Sequence, residues 1–239
     1  MKNNPVIDII GSGNVATHLI EAFSGKADVN HVRARSLDGL RNDCDLYIIC
    51  VPDAYIADVS KRMPKVSGIT AHTSGSIPIE GIDGKHSRRG VFYPLQTFTK
   101  NIDTDITEVP FLIEGESRAT TEKLKQFASL VSSKIYDADS ETRKHIHVAS
   151  VIGCNFVNHL WRLAADYLRQ HGLEFGLIHP LMKETLRKAM MNNPADVQTG
   201  PAARKDFNVI KEHEKLLAYD SELYDIYKKI TESIISKSK

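Results

Sequence analysis

The stretch PVIDIIGSGNVATHLIEA, residues 5–22, decides the fold of this chain. The run VIDII predicts a short buried strand, and a helix is expected to begin directly after the glycines. Gly11, Gly13 and Ala16 match the spacing glycine, any, glycine, any, any, glycine or alanine. In such a turn the first glycine permits the tight bend, the second lets the backbone approach a pyrophosphate, and the third small residue allows close packing of the helix. The stretch therefore predicts a dinucleotide-binding turn, with a glycine-rich turn that binds no ligand as the alternative.

The end of the second strand, predicted at residues 29–36, favours NADP over NAD. In nucleotide-binding sheets an acid at this place binds the 2′-hydroxyl of NAD, whereas an arginine accommodates the 2′-phosphate of NADP. This strand offers Arg33, Arg35 and Ser36 and no acidic residue. The alternative is that the arginines are only solvated surface residues.

Composition and charge limit the class of protein. The chain has 239 residues, and its hydrophobic content of 41% is ordinary for a globular protein. The 31 Lys and Arg nearly balance the 30 Asp and Glu, so we expect a small-molecule substrate and neither nucleic acid nor a membrane surface. The N-terminus does not resemble a signal sequence and the thiols lack metal-binding spacing, so we expect a cytoplasmic protein with no metal site. Cys50 and Cys154 are expected to be buried.

The connection between the second strand and the next, at residues 46–51, is unusually short. Only residues 37–45 separate them, and a crossover with its helix needs at least about 10–12 residues. We therefore expect a loop with at most one helical turn at residues 37–40, and a sheet that is one strand short. Asp53 is expected to cap a helix at residues 54–62.

The carboxyl ends of the parallel strands are expected to line a ligand crevice. His72, at the end of a strand predicted over residues 68–72, is a candidate acid or base, although a lone histidine is more often structural. The sheet is expected to close with strands beginning at residues 90, 110 and 134 and a helix at 120–131. The residues expected at the crevice are Val51, Pro52, Asp53, His72, Ser74 and Gly75.

After the acidic stretch DADSE, residues 137–141, only helices are predicted. We place the domain boundary there, with a nucleotide-binding domain at residues 1–138 and a helical domain at 139–239. Residues 145–169 are apolar on more than one face, so this helix is expected to be largely buried. Within it, Asn155 and His159 share a face and need polar partners. Further helices are expected at residues 175–191, interrupted at Pro180, then at 206–219, capped by Asp206, and finally to residue 235, capped by Asp220 or Ser221.

Six blocks, taken in order, resemble a known group of bacterial proteins: GSGNVATHL, DLYIICVPD, AHTSGS, YPLQTF, CNFVNHL and QTGPAARKD. Those proteins join a Rossmann-like domain to a helical domain of unknown function and are named NADP oxidoreductases. They are similar to deazaflavin-dependent NADP oxidoreductases and, more distantly, to pyrroline-5-carboxylate reductases. The resemblance implies an α/β fold with a Rossmann-like, mostly parallel sheet, followed by an all-α domain like the C-terminal domain of 6-phosphogluconate dehydrogenase, which commonly forms a dimer.

The resemblance also implies site residues. It places Arg35 and Ser36 at the 2′-phosphate. Hydroxyacid dehydrogenases carry a lysine one helical turn before an asparagine in this part of the chain, whereas Asn155 is preceded there by Val151. A plain hydroxyacid dehydrogenase is therefore not expected. The residues that the resemblance places on the pyrophosphate are Gly11, Ser12, Gly13, Asn14 and Val15.

The sequence thus predicts an NADP-dependent oxidoreductase that moves a hydride between NADP(H) and a small carbonyl or imine substrate, or a flavin-like partner, held between the two domains. His72 or His147 is the candidate acid or base. Asn155 is expected to hydrogen-bond the substrate, and Arg204 to pair with a carboxylate. One alternative is a non-catalytic NADP-binding sensor or interaction protein, and another is a helical dimerisation module with an empty nucleotide pocket.

Overall fold

The computed structural model describes residues 4–238. The chain forms two compact units, which divide between Asn155 and Phe156. The first, here the sheet unit, contains a seven-stranded sheet, and the second, here the helical unit, consists of helices and their connections. The domain boundary predicted after residue 138 stays a prediction. Across the described residues, no helix is both long and apolar enough to cross a membrane.

The sheet confirms the predicted Rossmann-like, mostly parallel architecture. Its strands are β1 (Val6–Ile10), β2 (Asp28–Val32), β3 (Leu46–Ile49), β4 (Ile69–His72), β5 (Arg89–Pro94), β6 (Phe111–Gly115) and β7 (Ile135–Asp137). Their order is β2-β1-β3-β4-β5-β6-β7. All neighbouring strands run parallel except β5 and β6, which are antiparallel.

The helices follow the predicted order, and two of the expected acidic caps form in the helical unit. Asp206 and Asp220 accept the backbone N–H groups of Val209 and Leu223 and begin the last two helices. A π-helical segment, Val151–Phe156, joins the fourth helix to the fifth. The helices are α1 (Asn14–Phe23), α2 (Ile56–Arg62), α3 (Arg118–Ala128), α4 (Ser140–Ser150), α5 (Val157–Gln170), α6 (His179–Met191), α7 (Phe207–Leu217) and α8 (Ser221–Lys237).

The sheet lacks the strand that the short connection left no room for. β1 pairs with β2 on one side and directly with β3 on the other, so β2 forms the edge of the sheet. The connection is tied to β1 by the fully buried Asp8, which accepts hydrogen bonds from the side chain (2.7 Å) and the backbone N–H (2.8 Å) of Arg41. No helical turn forms at residues 37–40, because Leu37 and Gly39 have positive φ angles of 60° and 78°.

Two hydrophobic clusters cover the two faces of the sheet. Ile7, Ile9 and Phe92 are fully buried in one cluster, together with residues of α1 and α3. Ile10 and Tyr47 belong to the other, which includes the buried residues of α2. The sheet unit therefore completes its core within one chain, as parallel sheets with both faces covered do.

Three local expectations are corrected. Asp53 does not cap a helix with its side chain but begins a 3-10 turn, Asp53–Tyr55, that leads into α2. Pro180 does not interrupt a helix but lies in the first turn of α6, where its fixed φ suits the start of a helix. It follows a 3-10 turn, Phe175–Ile178. The thiol-bearing Cys154 is exposed, whereas Cys50 is buried as expected.

The expectation of a largely buried helix over residues 145–169 is wrong within this chain. Val148, Ile152 and Phe156 expose 57%, 57% and 58% of their surface. Asn155 and His159 are exposed as well, so they do not form the expected buried polar pair. The apolar pattern identified the helix, but no element of the described chain covers this row of side chains.

Candidate active site

The glycine turn after β1 has the geometry that its spacing predicts. Gly11 adopts a φ of 133°, and a Cβ atom there would lie 2.1 Å from the carbonyl oxygen of Cys50. This position accepts only glycine, since both the backbone and the neighbouring strand exclude a side chain. Gly13 differs, because a Cβ atom there would meet no atom within 4 Å. The space in front of Gly13 is therefore open to a ligand.

The N-terminus of α1 faces that space without a negative charge of its own. Gly13 is the N-cap residue and supplies no side chain, and the first turn of α1 contains no acidic residue. Ser12, Gly13 and Asn14 are exposed. The Asn14 side-chain amide donates a hydrogen bond of 2.9 Å to the carbonyl of Phe98, which ties the loop after β5 to the helix start. Uncapped N–H groups at a helix N-terminus favour an anion such as a pyrophosphate.

The ends of β3 and β4 lie beside this turn at the same edge of the sheet. β3 pairs with β1, and the backbone N–H of Cys50 donates to the carbonyl of Ile10 at 2.7 Å. Val51 is half-buried, and Pro52 and Asp53 are exposed. After β4, the buried Ser74 accepts two backbone N–H groups with its hydroxyl oxygen, from residues 76 and 77, which closes the loop.

His72 lies at this edge, but its ring is fully engaged by the backbone. Its Nδ1 accepts the N–H of Ser74 at 3.1 Å, so its Nε2 is the protonated nitrogen and donates to the carbonyl of Pro78 at 3.2 Å. The residue is fully buried, and burial lowers its pKa to about 4. A neutral ring with no free nitrogen favours a structural role, in which His72 holds the loop that follows β4.

A tyrosine and a histidine meet above Gly75. The hydroxyl of Tyr93, near the end of β5, lies 3.1 Å from Nδ1 of His147 on α4, and the two rings meet edge to face. A Cβ atom on Gly75 would lie 2.7 Å from that Nδ1. Burial raises the pKa of Tyr93, and the carboxylate of Asp53 raises it further. Among the described residues, none hydrogen-bonds Nε2 of His147.

A fully buried arginine fixes this part of the site. Arg143, one helical turn before His147, donates to Glu114 at 2.6 Å and to the backbone carbonyls of Ile77 at 2.7 Å and Ser74 at 3.2 Å. It thereby fastens α4 to the loop after β4 and to β6. Sequence reasoning missed Arg143 and Tyr93. Tyr93 opens the block YPLQTF, which was one available signal, whereas an arginine in a polar helical turn has none.

The residues predicted for the 2′-phosphate follow β2. Arg33, Arg35 and Ser36 are exposed in the turn after the strand, which ends at Val32. Arg62, the last residue of α2, donates to the carbonyl oxygens of residues 34 and 35 at 2.8 and 3.1 Å. Sequence reasoning missed Arg62 as well.

The other two predicted substrate residues lie further along the chain. Asn155 is in the π-helical segment, at the end of the sheet unit, and is exposed. Arg204 belongs to the helical unit and is exposed in the turn that precedes α7. The π-helical segment widens the turn around Asn155, and such segments frequently occur at functional sites.

The helical unit contains an apolar cavity of about 630 Å³ between α5, α7 and α8. Leucine and isoleucine side chains form most of its wall, among them Leu163, Leu216 and Ile230. At one side, Nδ1 of His213 lies 3.0 Å from the hydroxyl of Tyr227. The cavity is therefore an apolar space within the helical unit.

Comparisons with known proteins agree with this architecture. The chain has 34% identity, with a TM-score of 0.87, to the crystal structure of a putative NADP oxidoreductase from Bacteroides fragilis, and 98% of each chain is covered. It shares its fold with a Plasmodium falciparum pyrroline carboxylate reductase with NADP bound (12% identity, TM-score 0.57, 99% of each chain). It also shares its fold with a variant imine reductase from Myxococcus stipitatus in complex with NAD⁺ (17% identity, TM-score 0.58, 98% and 96% covered).

No curated protein sequence matches the chain. Residues 109–234, which include α3 to α7 and most of α8, match the family described as Domain of unknown function (DUF2520). This match spans more than half of the chain, and the similarity to the Bacteroides protein spans nearly all of it. Both findings confirm the resemblance inferred from the six sequence blocks. The chain belongs to the DUF2520 family.

Proposed function

We propose that the protein is an NADP-dependent oxidoreductase that transfers a hydride between NADP(H) and a small carbonyl or imine substrate. The observation that carries the proposal is the open space at Gly13, in front of the uncapped N-terminus of α1. A pyrophosphate needs both features, because it approaches the backbone closely and accepts hydrogen bonds from the first N–H groups. The name of the Bacteroides relative supports the same class of activity.

The residues present fit a dinucleotide. Residues 33–36, directly after β2, offer two arginines and no acid for the 2′-phosphate, and Arg35 with Ser36 would bind that group. The carboxyl edge formed by Val51, Pro52, Asp53, Ser74 and Gly75 would line the rest of the cofactor site. The pyrophosphate would be held by Gly11, Ser12, Gly13, Asn14 and Val15.

When bound, NADPH supplies a hydride to the electrophilic carbon of the substrate, and the oxygen or nitrogen of that bond takes up one proton. We assign the handling of this proton to His147, whose Nε2 is free while Tyr93 engages Nδ1. His72 takes no part, because both of its ring nitrogens are engaged by the backbone. Asn155 is the proposed hydrogen-bonding residue for the substrate, and Arg204 the proposed partner for a carboxylate.

The first experiment is a calorimetric titration of the protein with NADPH and with NADH. We expect NADPH to bind more tightly, and the substitution Gly13→Ala to weaken binding at least tenfold, because the new methyl group occupies the pyrophosphate space. Gly13→Ala should change the melting temperature of the free protein little, since among the described residues no atom beyond the adjacent chain lies within 4 Å of the added Cβ. Gly84→Ala is the matched control, because a Cβ atom there is also unobstructed. Absence of binding by either dinucleotide would refute the proposal.

The second candidate is a non-catalytic NADP-binding sensor or interaction protein. Val151 favours it, because this aliphatic residue stands where hydroxyacid dehydrogenases carry a lysine. The two candidates differ in turnover. An oxidoreductase oxidises NADPH with at least one member of a panel of cyclic imines, ketones and flavins, whereas a sensor binds NADPH and reduces none of them. Loss of that turnover in His147→Gln, with NADPH binding retained, would support the proton role of His147.

We further propose that the protein acts as a cytoplasmic homodimer formed through the helical unit. Helix α6 exposes apolar side chains on several sides, including Leu181 (67%) and Met190 (78%). The cavity between α5, α7 and α8 offers an apolar surface of matching character. In a two-fold dimer each chain would supply the helix that covers the cavity of the other. Both exposed apolar surfaces would then be buried.

A further inference from the structure

Arg62 makes an unusual set of contacts for the last residue of a short surface helix. Its two terminal nitrogens donate to consecutive backbone carbonyls, those of Ala34 at 2.8 Å and Arg35 at 3.1 Å. Its Nε donates to the carboxylate of Asp58, one helical turn earlier, at 2.9 Å. Each of the three guanidinium nitrogens therefore donates a hydrogen bond, and two of them hold the turn that follows β2.

The turn and the helix are neighbours because they share one hydrophobic cluster. Ala34 and Leu37 pack against the cluster that contains Val59 and Met63, at the end of α2. This packing brings the last turn of α2 to the connection that replaces the missing helix and strand. Arg62 thus links the end of α2 to the turn after β2. Its two carbonyl partners, Arg35 and Ala34, lie 27 and 28 residues before it in the sequence.

We propose that Arg62 is a specificity-determining residue that gives the site its preference for the 2′-phosphate of NADP. This inference rests on the proposed function. Arg62 acts as a positioning residue, since it fixes the backbone from which Arg35 and Ser36 project. A planar guanidinium can grip two carbonyl oxygens at once, which an ammonium group does less well.

Arg62 also balances the charge of Asp58 near this turn. A monoester phosphate carries about −1.5 to −2 charges at neutral pH. A carboxylate without a partner within a Debye length of about 8 Å would repel it. The ion pair between Arg62 and Asp58 offsets the charge of Asp58, and Asp38 is the same in every variant. Loss of Arg62 is therefore expected to harm binding of NADPH and to leave binding of NADH nearly unchanged.

The simpler interpretation is a surface ion pair within one helix. Such pairs contribute little to stability, and they affect both dinucleotides equally. The two interpretations therefore differ in one quantity, the ratio of the dissociation constants for NADH and NADPH. A merely structural role does not change that ratio.

The experiment measures both constants by calorimetry for the wild type and for Arg62→Met, Arg62→Lys and Asp58→Asn. We expect Arg62→Met to lower the preference for NADPH at least tenfold and Arg62→Lys to lower it less, because the lysine keeps the charge but loses the double contact. Asp58→Asn should preserve or increase the preference. Arg169→Met is the matched control, since Arg169 forms an exposed ion pair with Asp166 within one helix, α5.

The outcomes separate this inference from the proposed function. An unchanged preference in Arg62→Met, with the wild type preferring NADPH, overturns the role of Arg62 and leaves the oxidoreductase proposal intact. Equal affinity of the wild type for the two dinucleotides also overturns it, because no 2′-phosphate site then exists. Absence of any binding refutes both proposals. If Arg62→Met does not fold, Arg62→Lys still decides the question, since an unchanged preference for NADPH in Arg62→Lys overturns the role of Arg62.

Discussion

The sheet unit and the helical unit differ in how far each completes its own hydrophobic core. Ile7, Ile9 and Phe92 of the sheet unit are fully buried within one chain. In the helical unit, Leu181 and Met190 expose 67% and 78% of their surface, and a cavity of about 630 Å³ opens between the helices. The comparison teaches that apolar side chains in the sequence identify a buried surface without identifying what covers it.

The reason lies in the geometry of the two kinds of element. A parallel sheet receives its covering helices from its own crossover connections, so the cover comes from the same chain. A helix carries an apolar stripe that any other apolar surface can cover, including one on a second copy. The stability of the sheet unit is therefore expected to be independent of protein concentration, whereas the stability of the helical unit is expected to depend on it.

The largest expected effect is loss of the proposed dimer. Leu181→Asp combined with Met190→Asp should raise the dimer dissociation constant at least about a thousandfold, because burial of each of the two side chains contributes roughly 2 kcal/mol or more and a buried carboxylate has no partner. Sedimentation equilibrium measures the change. Ser24→Asp is the control, because it adds one such carboxylate at an exposed position of the sheet unit, outside α6. A wild type that sediments as a monomer at all concentrations would contradict the proposal that a second copy covers the apolar surface of the helical unit.

A smaller effect is expected from a single methyl group in the sheet unit. Gly11→Ala forces a side chain into the backbone of Cys50 and into a φ of 133°, so we expect a loss of about 3 kcal/mol or more in the free energy of unfolding. Urea unfolding followed by circular dichroism measures it. Gly13→Ala, two residues on, is the control that should cost much less, since its Cβ is unobstructed. Similar losses for the two variants would mean that the turn is not held as described.

The pH dependence of the sheet unit tests the role of His72. Burial lowers the pKa of His72 to about 4, below the unfolded value of about 6.5. The unfolded chain therefore binds more protons between these values, so stability is complete above pH 6.5 and falls as the pH drops towards 4. We expect His72 to account for a loss of roughly 2–3 kcal/mol at pH 4.5 relative to pH 7.

Urea unfolding at both pH values measures that loss. His72→Asn should be less stable than the wild type at pH 7 and should show a smaller decline towards pH 4.5. His145→Gln is the control, since His145 is exposed on α4. An undiminished decline in His72→Asn would show that other groups cause the acid sensitivity.

The order of strands and helices could be predicted from the sequence because it depends on local signals. The glycine spacing located the turn between β1 and α1, the nine-residue connection predicted the missing strand, and Asp206 and Asp220 marked helix starts. These signals act over a few residues. Because they are local, the same signals wrongly predicted that the Asp53 side chain caps a helix. Asp53 instead begins a 3-10 turn.

Much of the candidate site could not be predicted, because it depends on contacts between distant segments. Tyr93 and His147 are 54 residues apart, and Arg143 reaches a loop 66 to 69 residues away. The sequence contains no periodicity that links such positions. Likewise, Val148 and Ile152 are exposed, although their apolar pattern predicts burial.

The smallest expected effect comes from removing one helix cap in each unit. The two caps are expected to contribute equally to the stability of their own helices. Ser117 caps α3 in the sheet unit by accepting the N–H of Thr120 at 3.2 Å, and Asp220 caps α8 in the helical unit by accepting that of Leu223 at 3.0 Å. Replacing either by alanine should cost about 1 kcal/mol, measured by urea unfolding at high protein concentration, with the exposed Ser87→Ala as control. On dilution, the Ser117→Ala deficit should stay constant, whereas the deficit of Asp220→Ala should change, because unfolding of the helical unit is then coupled to dissociation. Equal and constant deficits would mean that the helical unit is stable without a second copy, and that its open cavity needs another explanation.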